Sequence, residues 1–134
     1  MIVRRARAVD TSAVLRVWEV ARSGAASTPD DPAAVAAAID HGSLLVAEDG
    51  GEIVGTLVAG WDGWRGNMYR LAVVPERRRL GIARELVEAG EAALRRRGAR
   101  RVTALVGRDA VAMGLWRAVG YAHDAAIARF VKNL

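Results

Sequence analysis

Cysteine is absent from this chain of 134 residues. Without it there are no disulfides, no thiolate metal ligands and no acyl-cysteine intermediate in catalysis. The two histidines, His41 and His123, stand far apart in the sequence and lack the spacing of a zinc site. The composition therefore argues against covalent catalysis through sulfur, and we expect no bound metal.

Long apolar runs are also missing. No stretch approaches the roughly 20 apolar residues that a membrane span needs. The first seven residues, Met1 to Arg7, lack the apolar core of a signal peptide. A chain of this length suits one domain. We therefore expect a single domain over residues 1–134, located in the cytoplasm, with no membrane partner.

Lysine is nearly absent, so arginine supplies almost all of the net charge of +5, and Lys132 is the one lysine. An excess of basic over acidic residues is typical of proteins that bind nucleic acid, an acidic partner or a phosphorylated cofactor. Five arginines between positions 95 and 101 are equally consistent with a solvated helix face. The aromatic residues are not interleaved with basic ones as single-strand binders require, so we expect no nucleic-acid partner.

Periodicity and capping signals predict the elements of the chain. In order they are a strand at 2–6, helices at 11–23 and 32–40, strands at 43–48, 52–61 and 67–74, a helix at 79–97, a strand at 101–106, a helix from 109 to 120, and a last strand or strands within 121–131. This order, β-α-α-β-β-β-α-β-α-β, predicts an α/β fold with a mixed central sheet and helices on both faces.

Three residues refine these elements. Asp10 is predicted to cap the first helix, and Asp31 before Pro32 to cap the second. Gly90 lies inside the long helix, where glycine costs about 1 kcal/mol relative to alanine. We therefore expect another element to pack closely against Gly90.

The stretch from Leu71 to Arg84 joins an apolar strand to the long helix through Pro75, a group of arginines and Gly81. A helix N-terminus presents free N–H groups and the positive end of the helix dipole. Gly81 lets the backbone approach a ligand closely, because it has no Cβ atom. The stretch therefore predicts a phosphate-binding loop.

Two motifs carry a family resemblance. Arg78-x-x-Gly81-x-Ala83 resembles motif A of the GNAT superfamily of N-acetyltransferases, which holds the pyrophosphate of acetyl-CoA. The segment from Asp109 to Tyr121 is similar to a second motif of that family. The resemblance implies acetyl-CoA as cosubstrate and one group of cofactor-binding residues. These are Leu71, Ala72, Val73, Arg78, Arg79, Leu80, Gly81, Ile82, Ala83, Arg84, Asp109 and Trp116.

The second motif departs from the family pattern at three positions. Asp109 replaces an asparagine that commonly contacts the pantetheine arm, and Tyr121 replaces a phenylalanine. Trp116 stands where many members place a tyrosine that protonates the departing thiolate. An indole N–H donates a hydrogen bond but is not a usable acid near neutral pH. Trp116 is therefore either a residue that orients the cofactor or a core tryptophan.

The sequence does not identify a general base. Direct acetyl transfer to an amine needs an acceptor for the ammonium proton and donors to the developing oxyanion. By resemblance the donors are backbone N–H groups at Leu71 to Val73, which a bulge in the strand would free. Asn67 stands where the histone-acetylating branch has a glutamate, and Tyr69 shares its strand face. The other carboxylates considered are Glu19, Glu48 and Asp62. A water-relayed proton is compatible with all of them.

In such folds the acceptor pocket is built by the first two helices and the hairpin loops. The residues at these positions are Trp18, Glu19, Arg22, Trp61 and Trp64. Three tryptophans near one opening favour a flat or apolar acceptor, or a cation held over aromatic faces. One or two of them are equally compatible with a place in the core.

Three functions follow from these features. The first is a small N-acetyltransferase that uses acetyl-CoA and a primary amine of a small molecule or peptide. The second is a module that binds CoA or acyl-CoA without turnover, which the missing tyrosine and glutamate would explain. The third is nucleic-acid binding through the arginine-rich helix end. A last strand at the sheet edge is also a candidate for pairing across a homodimer.

Overall fold

The computed structural model describes residues 1–21 and 30–134. The sheet contains β1 (Ile2–Arg5), β2 (Leu44–Asp49), β3 (Glu52–Trp61), β4 (Gly66–Val73) and β5 (Val102–Ala104). The helices are α1 (Thr11–Val20), α2 (Pro32–Asp40), α3 (Ile82–Arg97) and α4 (Ala110–Ala118). Arg22, the predicted loop at 23–29 and the predicted end of the first helix at residue 23 lie outside the described residues.

The sheet follows chain order, β1-β2-β3-β4-β5. The first four strands are antiparallel neighbours, and β5 pairs with β4 in parallel. A parallel neighbour needs a crossover connection, which α3 supplies. The predicted mixed sheet is therefore confirmed. None of the helices in residues 1–21 and 30–134 is both long and apolar enough to cross a membrane.

The two faces of the sheet carry different helices. The Thr56 hydroxyl accepts a hydrogen bond from Trp18 of α1, whereas its neighbours Gly55 and Leu57 face α3. A Cβ atom on Gly90 of α3 would lie 2.7 Å from the Met68 Cε atom and 2.8 Å from the Leu57 Cδ2 atom. The close approach predicted at Gly90 is confirmed, because only glycine lets α3 lie this near the sheet.

The expected last strand does not form. After α4 the described residues 119–134 contain no strand, and residues 122–134 are all exposed. The Ala126 N–H donates to the Asp124 carboxylate at 3.1 Å, which begins a short turn. Isoleucine, phenylalanine and valine favour a strand only where a neighbouring edge offers pairing and burial. The predicted order of strands and helices is therefore correct up to α4, and the strand predicted after α4 is wrong.

Asp10 does not cap α1 as predicted, whereas Asp31 does cap α2. The Asp31 carboxylate accepts from the Ala34 N–H at 2.7 Å. Asp10 ends a short 3₁₀ turn, and its buried carboxylate accepts from Arg4 at 2.8 and 3.1 Å and from the Arg7 N–H at 2.7 Å. The hydrogen bond from Arg4 is the main reason why the pKa of Asp10 lies below its ordinary value of 3.8.

We expect Asp10→Asn to lower the free energy of unfolding at neutral pH by about 2 kcal/mol, because Arg4 loses the closer of its two carboxylate partners, Asp10 and Glu48. A carboxyl group with a lowered native pKa stabilises the fold above its unfolded pKa, and this contribution is lost as the pH falls through the native value. Urea unfolding of both proteins between about pH 5 and pH 2 should therefore show the difference shrinking with acid. A difference that stays constant over this range would contradict the role of the ion pair.

Candidate active site

A bulge interrupts β4 at its centre. Thr56 of β3 pairs with Ala72 and Val58 pairs with Tyr69, so Leu57 lies opposite two residues instead of one. One of these two, Arg70, has a φ angle of 57°, in the left-handed region that non-glycine residues rarely occupy. The bulge divides β4 into a first half paired with β5 and a second half that leads to the loop before α3.

A chain of two hydrogen bonds holds this bulge. Thr56 is fully buried, and its hydroxyl donates to the Arg70 carbonyl oxygen at 2.9 Å. The same hydroxyl accepts from the Trp18 Nε1–H at 2.9 Å. The Thr56 hydroxyl and the Trp18 N–H therefore both have partners, and α1 is tied through Thr56 to the distorted part of β4.

The pairing of β4 with β5 ends just before the bulge. Their pairing covers Gly66 to Met68, and one further bond runs from the Leu105 N–H to the Met68 carbonyl at 3.0 Å. From Tyr69 onward, within the described residues, the β4 edge has no β5 partner. The predicted oxyanion donors at 71–73 lie in this opened segment. A backbone edge that faces a gap is available for hydrogen bonds to a ligand.

The loop between β4 and α3 is a compact turn. A 3₁₀ turn over Pro75–Arg77 is followed by two left-handed residues, Arg79 with φ 64° and Gly81 with φ 81°. The Glu85 N–H donates to the Gly81 carbonyl at 3.1 Å, which is the first bond of α3. The N–H groups before Glu85 have no acceptor within the helix. A Cβ atom on Gly81 would meet nothing within 4 Å. Open space therefore lies in front of the helix N-terminus.

The arginines near this loop hold the surrounding elements together. Arg77 forms an ion pair with Asp49 at the end of β2. The Arg78 Nε–H donates to the Val73 carbonyl at 3.2 Å, and Arg84 donates to the Ala118 carbonyl of α4 at 3.3 Å. Arg79 is exposed, and Leu80 is exposed to 65%. Of the predicted residues 78–84, Ile82 is buried in the core, whereas Arg78 to Gly81 and Arg84 are exposed around the helix N-terminus.

The two predicted cofactor residues of α4 have defined partners. The Asp109 carboxylate accepts from the Ala112 N–H at 2.8 Å and caps the helix. Trp116 is buried, and its ring meets the Tyr121 ring edge to face at 4.9 Å between centroids. The Tyr121 hydroxyl donates to Glu91 at 2.9 Å. Burial, with the bond to Glu91, raises the pKa of Tyr121 above its ordinary value. The Tyr121 hydroxyl proton is thus engaged by Glu91.

A cavity of about 560 Å³ lies beside the bulge, on the face of the sheet that carries α1 and α2. Five of its lining residues bear on acceptor chemistry: Trp18, Trp61, Asn67, Tyr69 and Arg70. The structure therefore brings both candidate catalytic residues and two of the predicted acceptor residues to one cavity.

Arg70 is itself held in place within this cavity. It pairs with Asp30, and its guanidinium carbon lies 4.9 Å from the centroid of the Trp18 ring. One face of the Trp18 ring is therefore covered by a cation that belongs to the protein.

Two predicted acceptor residues lie away from this cavity. Glu19 is exposed on α1, and Trp64 is exposed to 75% at the tip of the β3–β4 hairpin. The Asp62 carboxylate accepts from the backbone N–H groups of Trp64 and Arg65, and these bonds hold the pKa of Asp62 below its ordinary value. The hairpin turn thus directs Trp64 to solvent, where the Arg65 guanidinium covers it at 4.3 Å.

Thr56 and Arg70 are the site residues that the sequence reading missed. A sequence signal for Thr56 does exist, because it is a polar residue in the middle of the apolar strand β3. A buried hydroxyl needs a partner, so such a threonine indicates a specific contact. Arg70 gives no comparable signal, because its φ angle depends on the register of β3 and β4.

Comparison with known proteins shows which family and which solved structures the chain resembles. The model of the Acetyltransferase (GNAT) family matches residues 13–121. A GNAT family acetyltransferase from Brucella melitensis, solved in complex with acetyl-CoA, is 28% identical with a TM-score of 0.68. The alignment covers 91% of this chain and 82% of that one.

Two further solved structures share the fold. A ribosomal-protein-alanine N-acetyltransferase from Brucella melitensis is 24% identical with a TM-score of 0.74, over 90% of this chain and 83% of that one. An aminoglycoside antibiotic 6'-N-acetyltransferase from Acinetobacter haemolyticus is 17% identical with a TM-score of 0.77, over 100% of this chain and 99% of that one. With the family model matching most of its length, the chain belongs to the Acetyltransferase (GNAT) family.

Proposed function

We propose that this protein transfers an acetyl group from acetyl-CoA to the primary amine of a small molecule or peptide, by direct transfer in a ternary complex. The observation that carries the proposal is the loop before α3. There the left-handed Arg79 and Gly81 and the open helix N-terminus form an anion-binding turn next to the gap between β4 and β5. The Brucella melitensis relative bound to acetyl-CoA supports the choice of cosubstrate.

Each part of this site has a proposed task. The backbone of residues 78–84 holds the pyrophosphate. Among residues 71–73 on the opened edge of β4, the N–H groups of Leu71 and Val73, which point away from β3, donate to the oxygen of the reacting carbonyl. Asp109 and Trp116 contribute the α4 side of the proposed acetyl-CoA site. The amine nitrogen forms a bond to the acetyl carbon, and the bond from that carbon to sulfur breaks, with its electron pair leaving on the CoA thiolate. The amine proton passes to water, and the thiolate takes a proton from water.

The proposed proton route uses water, because the charged candidates have other partners. Glu48 accepts from Arg4 at 3.4 Å, and Asp62 is occupied by the hairpin backbone. Asn67 and Tyr69 line the cavity beside the bulge and are suited to holding a water molecule, although neither is an effective base near neutral pH.

The proposed acceptor enters the cavity beside the bulge. Trp61 and Tyr69 offer aromatic surface there. Because Arg70 covers one face of Trp18, that face is closed to an acceptor cation. The relatives named above act on an antibiotic and on a protein alanine, so both small amines and peptide N-termini belong in a first screen.

A screen for release of the CoA thiol over amine classes tests the activity. We expect release that depends on both acetyl-CoA and one amine class. Saturable binding of acetyl-CoA without thiol release over a broad panel would favour the alternative, a module that binds acyl-CoA without turnover. A salt-dependent shift of random DNA at physiological ionic strength would favour nucleic-acid binding. A homodimer of this chain is a further proposal.

We expect Trp116→Phe to keep turnover within about tenfold of the parent protein, because an indole N–H is not a usable acid near neutral pH. The smaller ring leaves space beside Tyr121, so the free energy of unfolding should fall by about 1 kcal/mol. Steady-state kinetics and urea unfolding check both values. A loss of several orders of magnitude in kcat, with acetyl-CoA binding intact, would show that Trp116 takes part in the chemistry.

A further inference from the structure

The cavity beside the bulge extends to the end of the sheet where α2 and α3 stop. It is lined there by His41, which follows α2, and by Arg97, the last residue of α3. Tyr69 marks the bulge end of the cavity. Gly66, three residues earlier in β4, lies against α3, because a Cβ atom on it would be 3.1 Å from the Leu94 Cδ1 atom. A strand rises about 3.3 Å per residue, so the two ends of the cavity are about 10 Å apart along β4.

Two guanidinium groups converge at the end away from the bulge. A Cβ atom on Gly42, which has a φ angle of 68°, would lie 3.5 Å from Arg5 Nη1 and 3.9 Å from Arg97 Nη2. Arg5 ends β1 and Arg97 ends α3, so two elements distant in sequence supply the two charges. Gly42 has no side chain that would fill the space beside them. We call Arg5, Gly42 and Arg97 the arginine corner.

The charges of the arginine corner are not neutralised by the protein. Within residues 1–21 and 30–134, neither of its guanidinium groups forms an ion pair or a hydrogen bond. Asp40, the carboxylate nearest to the corner along the chain, pairs with neither arginine, whereas Arg4 on the same strand pairs with Asp10. Like charges that converge repel each other, and a guanidinium matches the geometry of a carboxylate or phosphate. The corner is therefore suited to an anion.

The rest of the cavity offers no comparable partner to a second positive charge on the acceptor. The carboxylates among its described lining residues are Asp30 and Asp62. Asp30 pairs with Arg70, and Asp62 accepts from the hairpin backbone. Arg70 also covers one face of Trp18. An acceptor with a second cationic group would thus meet carboxylates that are already engaged, whereas an acceptor with an anionic group would meet the arginine corner.

We propose that the acceptor carries an anionic group, a carboxylate or a phosphate, about 10 Å from its primary amine. The amine lies at the bulge, and Arg5 and Arg97 bind the anionic group at the other end of the cavity. This acceptor class rests on the acetyl transfer proposed above. The arginine corner then sets the affinity for the acceptor and takes no part in the chemistry.

Matched acceptors that differ only in charge test the arginine corner. The probes are linear ω-amino acids of about four to about ten carbons, their amides, and aminoalkyl phosphates of the same lengths, which span the distance of about 10 Å. In a CoA-thiol release assay, we expect the best anionic probe to exceed its neutral amide about tenfold or more in kcat/KM, through KM, because a charged group forms the stronger hydrogen bonds. A preference for either anion supports the corner.

Three arginine variants show whether the corner causes this preference. Arg97→Gln and Arg5→Gln should each lower the preference to about threefold or less, with kcat for the neutral amide unchanged. Arg96→Gln is the matched control, because Arg96 is an exposed arginine of the same last turn of α3 and does not line the cavity. We expect it to keep the full preference. Circular dichroism checks that each variant is folded.

Calorimetric titration separates this proposal from the proposed activity, because it does not require turnover. The probe is the ω-amino acid of about eight carbons, which matches the span of about 10 Å. Binding that Arg97→Gln abolishes, without thiol release from any amine, would keep the corner and overturn acetyl transfer. Turnover of neutral amides as good as that of both anions, or a preference that survives in Arg97→Gln and Arg5→Gln, would overturn the corner alone. Neither binding nor turnover of any probe would overturn both.

Discussion

Gly81→Glu should abolish acetyl-CoA binding, weakening it at least about 100-fold, which corresponds to about 3 kcal/mol. Gly81 has a φ of 81°, and the space where its Cβ would lie is open. A glutamate side chain at this position places a carboxylate in front of the α3 N-terminus, where the pyrophosphate is proposed to lie. Like charges at this separation repel, and the side chain also fills the space that the phosphate needs. Calorimetric titration of acetyl-CoA measures the loss.

Gly98→Glu is the matched control for this variant. Gly98 ends the same helix, has a φ of 107°, and its Cβ would also meet nothing within 4 Å. The two substitutions therefore impose comparable backbone strain and the same charge, but at opposite ends of α3. We expect Gly98→Glu to bind acetyl-CoA like the parent protein. If a folded Gly81→Glu protein binds acetyl-CoA as tightly as the parent protein, the loop before α3 is not part of the binding site.

Thr56→Val should lower both stability and turnover. Valine has the shape of threonine but neither accepts from the Trp18 Nε1–H nor donates to the Arg70 carbonyl. The loss of these two hydrogen bonds, one of them to a buried indole N–H, costs about 3 kcal/mol. Because the released carbonyl lies in the bulge that opens β4, we also expect kcat to fall about tenfold or more, as small misplacements of reacting groups cost this much. Urea unfolding and steady-state kinetics provide the two measurements.

Thr56→Ser separates the hydroxyl from the methyl group. Serine keeps the hydroxyl that bonds to Arg70 and loses one methyl, so its cost should be about 1 kcal/mol with kcat nearly unchanged. If Val and Ser at position 56 give equal stability and equal kcat, the hydrogen bonds at the bulge are not what holds the site.

Local chemistry explains why much of the fold was predictable. Asp31 before Pro32 fixes the start of α2, and the left-handed Gly98 fixes the end of α3, each through residues close in sequence. Gly90 indicated close contact, because glycine inside a long amphipathic helix needs a packing reason. The compact turn before α3 was predictable for the same reason, since its parts lie within one continuous stretch.

The features that were not predicted depend on residues distant in sequence. The bulge exists because of the register between β3 and β4, and its support from Thr56 joins three elements. Trp64 was expected near the acceptor, but the bonds from Asp62 to the hairpin backbone turn it to solvent. Residues 121–131 include strand-forming side chains but pair with no sheet edge within the described residues. The sequence pattern alone therefore predicted a strand that does not form.

Binding of acetyl-CoA to the purified full chain is the most direct measurement of the proposed function. We expect saturable binding by calorimetric titration, with one cosubstrate per chain. At a ligand concentration 100 times Kd, linkage should raise the free energy of unfolding by about 2.7 kcal/mol, which is visible as a rise in Tm of several degrees. No heat of binding and no rise in Tm at millimolar acetyl-CoA would contradict the assignment of the loop before α3 as the cosubstrate site.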